Sequence, residues 1–253
     1  MSKLQNKLAL VFRDLDRFLD KKRLISRLEL RLKIKNLINK HNFSESDTTE
    51  CEALYEFPPL QFIFLTITSG KQLSIQAPFL HEKVQYKQML FYHSHSYKVT
   101  ENLLEQAFSE VCQLQLELEK EILRKFLEKV NYTIKEITHN SIIAEKPPFS
   151  LRCFLYCSIL QLNEKIRALK LTSKDALIIP PGISIDPFIK FYQKHSNDIL
   201  LIEASVWLID TETEAVSRFI GLPEDKSMLT YFTRSQLATL IERNWRPTLS
   251  EDF

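Results

Sequence analysis

The stretch TENLLEQAFSEVCQLQLELEKEILRKFLEKVNYTIKEITHNSIIAEK, residues 100–146, decides the fold. Within it Leu104, Phe108, Val111, Leu114, Leu118, Ile122 and Phe126 recur at spacings of three and four, the period of an amphipathic helix. Glu, Gln and Lys fill the opposite face, and Thr100 stands where an N-cap accepts from the first unpaired backbone N–H groups. After Val130 the pattern changes. Residues 132–146 read as a hairpin that turns at His139-Asn140-Ser141. A long helix that feeds directly into paired strands predicts an α+β protein, with antiparallel β-sheets flanked by long amphipathic helices.

Toward the C-terminus, Pro147-Pro148 precedes a strand-like stretch over residues 150–161, and residues 165–171 extend the sheet or form a short helix. Residues 176–179 lead into the turn Pro180-Pro181-Gly182. Residues 186–194 suit a short helix, with Asp186 as cap and Pro187 at the first helical position. Residues 199–209 read as the strongest buried strand, and residues 235–244 as a closing helix.

Toward the N-terminus, residues 86–99 are strand-like, and residues 60–68 and 72–77 form a second strand pair across Ser69-Gly70-Lys71. Residues 42–52 hold Glu45, Asp47, Glu50 and Glu52 with no basic residue, the composition of a linker. Residues 3–40 form an N-terminal helical arm, as one helix or as two with a break near Lys21. Unbroken, it would be roughly 57 Å long beside a body whose radius of gyration is about 18 Å. The predicted organisation is a basic arm at residues 1–41 and two α+β parts at 53–147 and 148–253. Glu56-Phe57-Pro58-Pro59 and Glu145-Lys146-Pro147-Pro148 share the pattern Glu-x-Pro-Pro before an apolar run; coincidence explains it better than an internal repeat.

Composition narrows the function. Hydrophobic residues make up 44% of the 253, enough for a substantial core. Only three glycines are present, Gly70, Gly182 and Gly221, against about 18 expected at the average of roughly 7%. Phosphate-cradling loops, dinucleotide fingerprints and the nucleophile elbow each need glycines clustered within a few residues, so those enzyme classes are excluded. No apolar run approaches the roughly 20 residues of a membrane-spanning helix, and Leu8 to Phe12 is too short for a secretory signal. Cys51, Cys112, Cys153 and Cys157 lack metal or disulfide spacing and read as reduced, buried thiols. The expected location is the cytoplasm.

Charge is distributed unevenly. Residues 21–40 hold eight basic side chains and one acid, Glu29, for a net charge of +7; residues 1–20 add +1, so the rest of the chain carries −6. Arg23, Arg27, Arg31 and Lys35 follow at successive i,i+4 steps and form a basic ridge, flanked by Lys21 and Lys22. Leu24, Leu28 and Leu32 run beside it as an apolar stripe. Guanidinium groups in such a row suit carboxylate or phosphate recognition. The spacing Arg-x-x-x-Arg also resembles that of PilZ domains, which bind cyclic di-GMP, but their accompanying Asp/Asn-x-Ser-x-x-Gly motif is not present.

Two other constellations bear on chemistry. His93 and His95 would share one face of a strand, with His81 upstream and Glu82, Glu101 and Glu105 nearby, so the set could in principle ligate a metal. His93-Ser94-His95 resembles the His-x-His-Pro core of JAMM metalloproteases; Ser96 replaces the proline, and Gln106 stands where an aspartate ligand would be. Glu203 and Ser205 interrupt the apolar run 199–209, as a half-exposed sheet face would.

The expected function is therefore non-catalytic: an adaptor or complex subunit that binds another protein, or a second copy of itself, through the basic ridge and its leucine stripe. The alternative is nucleic-acid or anionic-membrane binding through residues 21–40, and the next is a metal-dependent enzyme built on the His93/His95 region. No cofactor and no small-molecule ligand are expected.

Overall fold

The computed structural model describes residues 3–19, 21–22, 24–44, 82–93 and 98–244. The expected strands at 60–68 and 72–77, most of the acidic linker and the first Glu-x-Pro-Pro copy lie outside the described residues. The fold is α+β, and the chain divides into two compact units, Met1–Val111 and Cys112–Phe253.

In the first unit the arm is two helices, α1 (Lys3–Leu19) and α2 (Arg27–Lys40), separated by the short strand β1 (Ile25–Ser26). The break has a local cause. Ser26 Oγ accepts from the Glu29 backbone N–H at 3.1 Å while the Glu29 carboxylate accepts from the Ser26 N–H at 3.0 Å, a reciprocal capping box that starts a new helix. β1 then pairs antiparallel with β3 (Met89–His93), which also pairs with β2 (Glu82–Tyr86), giving the strand order β1-β3-β2. Lys87 and Gln88 connect β2 to β3 with φ of 44° and 70°, as a two-residue hairpin turn requires at both central positions. α2 packs Leu30, Ile34, Leu37 and Ile38 into the interior, with Val11 and Leu15 of α1 also buried.

The second unit is built on α3 (Glu101–Lys129), the helix read from the sequence, although the division between units falls inside it. Asn131 ends α3 in the left-handed region at φ 66°, with the Tyr132 N–H donating to Leu127 O at 2.9 Å. The hairpin follows as β4 (Thr133–Ile137) and β5 (Ser141–Lys146). It joins β6 (Phe149–Leu155), β7 (Asp175–Ile179), β8 (Ser205–Asp210) and β9 (Ala215–Ile220) in one sheet ordered β4-β5-β6-β7-β8-β9. The outer pairs are antiparallel as expected, but β6-β7 and β7-β8 are parallel, so this sheet is mixed. A domain boundary at 147/148 would cut between two hydrogen-bonded neighbours, β5 and β6.

Parallel pairs need crossover helices, and these revise two expectations. Residues 150–161 are not one strand: β6 stops at Leu155, Ser158 caps a helix by accepting from the Gln161 N–H at 3.2 Å, and α4 (Ile159–Lys165) begins, running into a short 3-10 turn at Ile166–Ala168. Residues 199–209 are not one strand either. α5 (Asp186–Leu201) continues through the apolar run, and Glu203 at φ 56° closes it, with the Ala204 N–H donating to Ile199 O at 3.1 Å. Glu203 is thus an exposed helix terminator, whereas Ser205 is buried at the start of β8. α6 (Gln236–Asn244) ends the described chain.

Residue alternation along the strands creates two cores. Ala176, Ile178, Trp207 and Ile209 face α3, while Leu177, Ile179, Val206 and Leu208 face α4, α5 and α6. The unit is a three-layer α/β/α arrangement. Gly221 follows β9 and packs against the backbone that enters β8. A Cβ there would sit 2.4 Å from Ala204 O, and φ is +70°. We expect Gly221→Ala to lower stability by about 1–3 kcal/mol, read as a shifted urea midpoint; an unchanged midpoint would mean the backbone relaxes freely.

Candidate functional site

The helical pair α1–α2 holds most of the ridge predicted from sequence. Its antiparallel docking is recorded by polar contacts along its length. Lys7 donates to Asn42 O at 2.6 Å, Lys40 to Asp14 Oδ2 at 2.7 Å, and Lys33 lies 4.8 Å from the Phe18 ring centre. Lys40 first, and then His41 at 3.2 Å, hold the Asp14 carboxyl down at about 2, against the desolvation that would raise it. Lys22 pairs with Glu29, whose other oxygen completes the capping box. Two acids of this segment are therefore satisfied internally.

Arg13 Nε also lies 3.9 Å from Asp14 Oδ1. Arg13, Arg17, Lys21 and Lys35 are exposed, while Arg27 and Arg31 are half-buried. Arg23 lies outside the described residues. The ridge is thus only partly outward; Arg13 and Arg17 of α1 are further exposed cations of the same unit, which sequence spacing alone does not connect with it. Leu24, Leu28 and Leu32 are half-buried, because α2 turns Leu30, Ile34, Leu37 and Ile38 inward instead.

The histidine constellation separates. His93 is buried at the end of β3, and His81 and His95 lie outside the described residues. Glu105 is engaged elsewhere: Lys87 donates to it at 2.6 Å, Tyr86 bonds the same oxygen, and Phe108 meets the Tyr86 ring edge-on at 5.9 Å. Among the described residues no group of three His, Cys, Asp or Glu side chains is placed to hold a metal ion.

The second unit contains polar groups that the sequence pattern did not single out. Gln115 and Glu119 lie on the core face of α3, one turn apart, with Gln115 Nε2 donating to Glu119 Oε1 at 2.8 Å. Glu119 is 0% exposed, and Oε2 has no hydrogen-bond partner among the described residues. Burial pushes its carboxyl well above the usual carboxylate range; the Gln115 bond opposes this only partly. The nearby Cys157 thiol donates to Gln161 Oε1 at 3.3 Å. Burial also raises the Cys153 thiol far out of the reactive range, so both cysteines behave as core groups. From the middle of β6, Arg152 grips Asp175 through Nε at 2.7 Å and Nη2 at 2.8 Å, and the Thr172 backbone and hydroxyl also donate to that carboxylate. Lys146 donates to Asp225 Oδ2 at 2.8 Å, which with the Ser227 bonds keeps the Asp225 carboxyl low despite desolvation. These pairs clamp strands and turns.

A cavity of about 160 Å3 opens between the 3-10 turn and α5. Ile166, Leu169, Leu171, Ile199 and Ile202 line it together with Arg167, Asp198 and the buried His195. His195 bonds Asn163 Oδ1 at 3.0 Å, and burial lowers its ring below the ordinary histidine value. The ring is therefore neutral near pH 7.

Residues 160–234 match the C-terminal domain of DUF6834, a domain of unknown function. The match starts within α4 and takes in β7 to β9, so the cavity lies wholly inside it. No curated protein matches the chain. No helix among the described residues is long and apolar enough to cross a membrane.

Proposed function

We propose that the protein is a non-catalytic adaptor or complex subunit, and that its N-terminal helical pair docks on an acidic surface of another protein. One observation carries this reading. The segment has a net charge of +8 over residues 1–40, and Arg13, Arg17, Lys21 and Lys35 are exposed on it, while Asp14 is held by Lys40, His41 and Arg13 and Glu29 by Lys22. Such a surface attracts carboxylates at long range and fixes them at short range through forked or multiple donors. The half-buried Leu24, Leu28 and Leu32 add apolar edge area that a protein partner can cover.

A nucleic-acid partner fits less well. Residues 21–40, which hold most of the cations, have no aromatic side chain for stacking on bases. The test is fluorescence anisotropy of labelled poly-L-glutamate against the full chain and against a variant carrying R13Q, R17Q, K21Q and K35Q. We expect the variant to bind about tenfold more weakly while keeping the parent circular-dichroism spectrum. Equal binding by both chains would overturn the proposal, as would tighter binding of a DNA duplex than of the polypeptide at matched salt.

A further inference from the structure

We propose that the cavity beside α5 is a self-docking site: in a two-fold dimer, Leu201 of each copy enters the cavity of the other. The C-terminal turn of α5 exposes three apolar residues in succession, Leu200, Leu201 and Ile202, with relative exposures of 38%, 81% and 40%. A leucine left 81% exposed at the end of a helix whose other face is core is an unpartnered apolar knob. Beside it lies the matching hole. Ile166, Leu169, Leu171 and Ile199 line a cavity of about 160 Å3 together with the His195 ring, Arg167 and Asp198, and Ile202 belongs to both features. An apolar cavity of about 150 Å3 accepts a six-carbon ring, so the four-carbon side chain of leucine fits.

The rim indicates why the occupant is a second copy. Arg167 and Asp198 stand on the same cavity margin, both exposed and of opposite sign. A two-fold axis places the same patch against itself, and the proposed axis sets each Arg167 opposite the partner's Asp198. A patch that carries knob, hole, cation and anion together is complementary to itself without any further element. A contact built on one side chain and one cavity is small beside the roughly 1,200–2,000 Å2 of a stable interface, so the dimer is a weak one. This contact is independent of the cationic helical pair, which lies in the other unit.

Sedimentation velocity on the full chain from about 1 to about 300 µM tests the proposal, since a dimer dissociates on dilution by mass action. The parent chain is expected to shift from monomer to dimer across that range. L201D is expected to remain monomeric with an unchanged melting temperature, because the side chain it replaces is exposed. R167E and D198R are each expected to weaken the dimer about tenfold, and the double exchange R167E/D198R to restore it, because the swapped charges still face one another across the axis. A parent chain that stays monomeric throughout, a dimer that L201D leaves intact, or a double exchange no better than its singles overturns the proposal.

Discussion

Replacing Trp207 by alanine is expected to lower the stability of the second unit by about 3–5 kcal/mol, the largest loss we anticipate for any single side chain here. The indole is fully buried in the middle of β8. Phe126 of α3 meets it at 6.0 Å and 66°, and Phe232 meets it at 5.0 Å and 74°, both edge-to-face geometries that add to simple burial. Those two rings also touch each other at 5.0 Å, so removing the indole undermines a three-ring cluster joining α3, the sheet and the turn before α6. Trp207→Phe should cost much less. It keeps the aromatic packing and removes a buried indole N–H that has no hydrogen-bond acceptor among the described residues. Urea denaturation of the two variants separates the contributions. If alanine and phenylalanine cost the same, the ring cluster is not what holds α3 to the sheet.

Glu119 gives the second large effect, and it is one of pH. The folded carboxyl keeps its proton to well above 4.5, whereas in the unfolded chain it ionises near 4.5. Between those two values the folded state holds the extra proton and unfolding releases it, so stability falls as pH rises. Below the unfolded value the contribution is fully present. Once pH passes the folded value the penalty levels off. Within the window the slope reaches at most about 1.4 kcal/mol per pH unit. Glu119→Gln keeps the size and the bond to Gln115 but cannot ionise, so its stability should be flatter from pH 5 to 8 and higher than the parent's at the alkaline end. Parallel stability–pH curves for parent and variant would mean that Glu119 ionises as readily in the folded chain as in the unfolded one.

How much of this was legible in the sequence differs by element. α3 and the hairpin β4–β5 were, because an uninterrupted period of three to four gives way sharply to strand-forming residues at Tyr132. The end of α5 was not. Helix ends are marked in sequence by glycine or asparagine, but here Glu203 occupies the left-handed position, and the apolar residues 199–202 before it look like a strand. Ser26-x-x-Glu29 did carry the signal that divides α1 from α2, a capping box hidden within a continuous apolar stripe. The parallel pairing of β6, β7 and β8 depends on contacts between distant segments, which local pattern does not encode.

The candidate sites follow the same division. The charge asymmetry was visible, but the outward direction of each cation depends on which face of α2 is buried, and Leu30, Ile34, Leu37 and Ile38 competed with Leu24, Leu28 and Leu32 for that face. Gln115 and Glu119 do not stand out in the sequence because a polar residue on a helix reads as solvated. The missed clue is spacing: from Val111, steps of four reach Gln115 and Glu119 on the way to Leu123, which puts both on the buried face.

The central claim is that the α1–α2 pair of the N-terminal unit receives an acidic protein surface. Hydrogen–deuterium exchange of the full chain with and without saturating poly-L-glutamate tests it most directly, because exchange maps the contact along the backbone. Slower exchange confined to segments around Arg13, Arg17, Lys21 and Lys35, and lost in the fourfold glutamine variant, is the predicted result. Protection that appears instead in the second unit, or that persists in the variant, would contradict the claim.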